Sequence, residues 1–253
     1  MSLKMTRSRL AGLDDRSGST DEPERELQRP IARGGEPAQC ASKHLARANV
    51  NGEPAMGLKS NVLATLSSPQ VKWINFAFAN RMLSPVMYRS LYGLVDGGTI
   101  KCEVDSNLND TAMYDPAKNK LVASDGSYGE TYFYQKALLI HESSHAILDC
   151  CYNGRDMNND KAAGITVLAD ETIAYLAQAF YLVASNGNMP SNKSAPDYKA
   201  VAIVQPRLDA IMKTGWTGCD TIYLTTSDVM SLQTSIKANP AYSNFASIAV
   251  HNG

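Results

Sequence analysis

The chain has 253 residues, of which 44% are apolar and 19% charged, ordinary usage for a globular protein able to bury a core. Its 24 Lys and Arg nearly balance 25 Asp and Glu, and the net charge of −1 argues against nucleic acid or an anionic membrane as partner. Five Cys are too few for a disulfide scaffold, and their odd number leaves a free thiol, so a reducing compartment is the default reading.

Residues 1–57 read as a mobile tail or linker. Positions 1–59 hold 10 of the Lys and Arg and 8 of the Asp and Glu, with Pro23, Pro30, Pro37 and the Gly34-Gly35 pair. So few large apolar side chains cannot offset the entropy of ordering the segment. It shows no apolar core of a secretory signal, which fits a cytoplasmic protein or export by a signal-independent route equally well. Charged residues interrupt the apolar stretches before about 18 residues, so no integral membrane association is expected.

Residues 58–253 read as one domain. A periodic pattern begins at Leu58. Ser68-Pro69 predicts a helix start, with Val71, Trp73, Ile74, Phe76, Ala77 and Phe78 following on it. Ser84-Pro85 starts a second, ending near Gly93. Strand-like pieces lie at 99–104, 111–114 and 120–124, the last two paired as a hairpin through Asp115-Pro116. Residues 131–152 have helical length and contain no Gly or Pro, and a Gly-, Asn- and Asp-rich loop, 153–160, leads to a long helix at 165–185. Helical signals continue at 198–213, bent at Pro206, and at 228–237, capped by Ser227. The fold class is α+β, mostly helical, with a small antiparallel sheet preceding a central helix pair.

The chemistry concentrates in Leu139-Ile140-His141-Glu142-Ser143-Ser144-His145-Ala146, which contains His-Glu-x-x-His. On a helix the two imidazoles project from one face and can bind one Zn²⁺, while Glu142 can activate a water on the metal. The chain has only 4 His, two of them here, and random order gives roughly 0.002 such motifs. The surrounding helix is apolar, and burying these side chains without a partner would cost several kcal/mol. A metal removes that cost.

Tetrahedral zinc with one open position needs a third protein ligand. The extended pattern with a third His three residues past a Gly fails, because those places hold Leu148 and Cys151. In the next helix the charges are Asp170 and Glu171, inside an apolar run where solvated carboxylates are unusual. Either can serve as the ligand; Glu171 has the longer reach.

His141-Glu142-Ser143-Ser144-His145 with Glu171-Thr172-Ile173-Ala174 resembles the zincin metallopeptidases of the gluzincin, thermolysin-like kind. His145-Ala146-Ile147-Leu148-Asp149 is similar to that group's continuation of the motif. The resemblance implies a zincin-like domain in which His141, His145 and Glu171 hold zinc, Glu142 is the general base and the substrate is a peptide or protein. It also implies that the strand at 119–124 is the edge that receives an extended peptide. The chain departs from the family at Tyr175, where gluzincins commonly carry an Asp that orients a zinc-bound His. Asp149 or Asp170 can take over that orientation, and the Tyr175 hydroxyl can do so or can stabilise an oxyanion. Cys150 and Cys151 read as buried thiols, and Tyr128, Tyr132, Phe133 and Tyr134 as aromatic packing at a helix start. Two further readings keep the metal but change its use: a non-catalytic zinc-stabilised binding module, and a toxin- or effector-type protease domain.

Overall fold

The computed structural model describes residues 57–152, 165–187, 190–215, 220–240 and 242, all within one compact unit. The expected tail over 1–57, apart from Gly57, and the expected loop at 153–160 lie outside the described residues. The described part is α+β and mostly helical, with six α-helices and two small three-stranded sheets.

The chain starts with α1 (Leu58–Leu66). The Ser68-Pro69 start is used, but only for a 3₁₀ segment, Pro69–Trp73. The apolar run then becomes β1 (Phe76–Phe78) rather than continuing the helix, and pairs antiparallel with β2 (Arg81–Leu83). The loop between them has two residues, Ala79 and Asn80, with φ of 51° and 60°. Positive φ at both central positions matches the natural twist of a hairpin. Phe76 and Phe78 face the core while Ala77 lies between, and the Phe76 ring stacks on Phe180 with centroids 5.2 Å apart. Both rings are fully buried. Phe180→Ala should therefore destabilise the fold by about 3–5 kcal/mol, read as a lower denaturant midpoint at unchanged slope.

Next comes α2 (Pro85–Asp96), which runs past Gly93 to end before Gly97-Gly98. Strands β3 (Lys101–Val104), β4 (Ala112–Asp115) and β5 (Lys120–Ala123) form the sheet ahead of the long helices. β4 and β5 make the expected hairpin, but β3 pairs parallel to β5, so the sheet is mixed rather than wholly antiparallel. Its order is β3-β5-β4. The strand near 119–124 is thus central, paired on both sides, and the free edge belongs to β4. This corrects the expectation that 119–124 is the edge strand.

The core is a layer of long helices. α3 (Phe133–Tyr152) packs on α4 (Val167–Ala184), which packs in turn on α5 (Pro196–Thr214). By length and composition α4 is apolar enough to cross a membrane, but 78% of that window is buried inside the fold. Neighbouring helices cover its apolar surface, as expected of a core helix. The Tyr152 hydroxyl accepts from the Met82 N–H and donates to the Met82 carbonyl, both at 2.8 Å, which ties the end of α3 to β2. Pro206 sits inside α5. β6 (Ile222–Tyr223) adds to β1 in parallel, a pairing that local pattern did not announce. The last helix, α6 (Thr226–Ala238), is capped by Thr225 rather than Ser227, with Asp228 completing a reciprocal capping box.

Candidate metal centre

His141 and His145 lie one turn apart on α3, and Glu171 lies in the first half of α4, where the two helices pack. His141 Nε2 is 3.5 Å from Glu171 Oε2, and His145 Nε2 is 3.8 Å from Glu171 Oε1. Donors about 2.0–2.1 Å from a tetrahedral ion sit roughly 3.4 Å from one another. The three groups, whose ligand atoms fall within 4.8 Å of each other, can therefore hold a metal ion. The sequence left Asp170 and Glu171 open as third ligand, and in the structure Glu171 is the one facing both imidazoles.

The outer nitrogens are engaged as well. His145 Nδ1 meets Asp170 Oδ1 at 3.0 Å, and His141 Nδ1 meets Gln178 Oε1 at 3.0 Å. Each pairing makes Nδ1 the donor and turns Nε2 toward Glu171. Asp170 is thus an orienting residue, as one of the sequence readings held. Asp149 is not, because its carboxylate accepts instead from the Tyr114 hydroxyl at 2.8 Å. Gln178 escaped the sequence reading entirely. Its only signal was position, seven residues beyond Glu171 and so on the same helix face.

Glu142 is held from β4. Its Oε2 accepts the Tyr114 backbone N–H at 2.8 Å, which fixes the carboxylate beside the donor set without making it a donor. Burial raises its pKa, against the lowering influence of His141 and His145. Burial alone would lower His145, but Asp170 and Glu171 outweigh it and lift the imidazole to about 10. Burial would likewise raise Glu171, yet the two imidazoles hold it below the ordinary carboxylate range. Three carboxyl groups, Glu142, Asp170 and Glu171, thus lie around the two imidazoles. Glu171 Oε2 is buried with no hydrogen-bond partner among the described residues. Such an oxygen is costly unless a cation completes it, and the residues present fit one.

Tyr175 does not replace the missing acidic orienter. Its ring stands edge-on to the His141 ring, centroids 4.6 Å apart at 80°, and its hydroxyl lies 3.5 Å from that of Tyr242. Of the aromatic group before the motif, Tyr128 is buried as expected, whereas Tyr132, Phe133 and Tyr134 are 54%, 46% and 44% exposed. The Tyr134 hydroxyl donates to Asp197 on α5 at 3.0 Å. Cys150 is half-buried and Cys151 exposed, neither in a disulfide, so only the first approaches the expected burial. Comparison with known protein families, with curated proteins and with solved structures gave no match.

Proposed function

We propose that the chain is a zinc-dependent peptidase of the gluzincin kind. The observation that carries this reading is Glu142, a buried carboxylate fixed by the Tyr114 N–H at 2.8 Å beside the three donors and not needed among them. A site that only ties two helices together has no use for a further carboxyl group held in that way. Two imidazoles and one carboxylate suit zinc with an open position, and a bound zinc ion polarises a carbonyl and lowers the pKa of a water.

The protein's own groups do the rest. Asp170 and Gln178 orient the imidazoles, Glu171 supplies the anionic donor, and Glu142 takes a proton from the attacking water and returns it to the leaving amine. β4 is paired only with β5 among the described strands, and its free edge lies on the Glu142 side, where an extended peptide can add as a further strand. The test is a metal assay joined to a peptide-library digest. Protein purified without chelator should hold about one zinc per chain, and cleavage should stop on chelation and return with Zn²⁺. Folded, zinc-loaded protein that cuts nothing in a broad library would point to a structural metal instead.

A further inference from the structure

We infer that Tyr134 and Asp197 are positioning residues for His141: acting through Gln178, they fix which end of its amide faces the ring. The assignment rests on the metal centre of the reading above. An amide is two-sided, with an accepting oxygen and a donating nitrogen. With Oε1 toward His141 Nδ1, at 3.0 Å, Nδ1 is the donor and Nε2 can serve a metal. With the amide turned over, its N–H would claim the Nδ1 lone pair and drive the ring proton onto Nε2, the nitrogen a metal needs. The Gln178–His141 pair alone does not select between these.

The selection comes from the other end of the amide. Tyr134 lies seven residues before His141 on the same face of α3, and Gln178 seven residues beyond Glu171 on α4. Gln178 Nε2 is buried and makes no fully formed hydrogen bond among the described residues, and the Tyr134 oxygen is the acceptor beside it. Burial and the charge of Asp197 raise the Tyr134 pKa, while Gln178 lowers it, as an N–H aimed at the phenol oxygen must. The phenol proton is engaged elsewhere, on Asp197 Oδ2 at 3.0 Å. Asp197 stands in the first turn of α5, where its Oδ1 accepts the Tyr198 N–H at 2.8 Å. An ionised carboxylate accepts only. Asp197 therefore draws the phenol proton to itself, leaves the phenol oxygen to Gln178, and so turns the amide oxygen toward His141. Every link runs in one direction, and the carboxylate sets it.

The experiment measures Zn²⁺ affinity by competition with a chromophoric chelator. It compares the parent chain, Tyr134→Phe and Asp197→Asn with the same two substitutions on a Gln178→Glu background. In the parent background each should weaken zinc binding by roughly the 10–100-fold that loss of an orienting partner costs. The Asp197→Asn amide can keep the Tyr198 N–H on its oxygen and then offers its own N–H to the phenol, which reverses the chain. Gln178→Glu puts an acceptor at both ends of the side chain, so His141 Nδ1 stays the donor whichever way the phenol points. On that background neither substitution should lower affinity by more than about 2-fold. A packing role, or the loss of a distant negative charge, would weaken binding on both backgrounds alike. Equal losses on both backgrounds, or no loss in the parent, overturn the assignment and leave the metal centre standing. A parent chain that binds no zinc removes the metal centre, and this assignment with it.

Discussion

Glu142→Gln should reduce peptide hydrolysis by about 10²–10⁴-fold and leave metal content and melting temperature close to those of the parent. The substitution is close in shape, and the amide oxygen of Gln can accept the Tyr114 N–H that Oε2 now accepts at 2.8 Å. The three groups that can hold a metal ion, His141, His145 and Glu171, are untouched. What is removed is the ability to take a proton from water and carry it to the amine. Activity and zinc are measured on one preparation, so the two effects separate cleanly. Equal turnover by mutant and parent would show that Glu142 is not the base.

His145→Ala should do the opposite and damage both binding and folding. The imidazole contacts Asp170 Oδ1 at 3.0 Å and stands 3.8 Å from Glu171 Oε1, and both carboxylates are almost fully buried. Removing it takes away one metal donor and strands two buried negative groups. Breaking a buried pair from one side costs about 3–5 kcal/mol. The mutant should therefore be purified with little zinc, and it should melt well below the parent even when zinc is added. Metal analysis and thermal melts with and without added zinc check this. A mutant that retains full zinc and the parent's melting temperature would exclude His145 as ligand.

The two helices that build the centre were legible because their signals are local. The motif fixes which face of α3 carries the imidazoles, and the carboxylates inside the apolar run mark α4. The open choice between Asp170 and Glu171 closed only with helix packing, since adjacent residues point about 100° apart around a helix. Gln178 was silent because a neutral amide raises no charge alarm in a buried helix. β1 was misread for another reason. The run from Val71 to Phe78 is apolar in either period, and what makes its end a strand is pairing on both sides, with β2 across the Ala79-Asn80 turn and with β6, residues 222–223, far along the chain. The central place of β5 has a similar origin, because the parallel pairing with β3 is set by tertiary contact rather than by the hairpin turn.

One strand residue has a consequence for how this protein can change. Tyr114 grips α3 at two points, its N–H on Glu142 and its hydroxyl on Asp149, seven residues apart and so about 10 Å along the axis. Two anchors on one rod prevent both sliding and rolling, and the segment between them contains His145. Within the hairpin turn, Asn119 Oδ1 stands 3.0 Å from the same Tyr114 hydroxyl, so only residues 116–118 lie beyond this double grip and can be recoded without shifting the imidazole. A residue inserted between 142 and 149 cannot be absorbed in that way. Anywhere in that interval it would turn Asp149 away from Tyr114, and before His145 it would also rotate the imidazole off the shared focus. Recoding should therefore be tolerated at 116–118, and insertion refused in the two helical turns that Tyr114 spans.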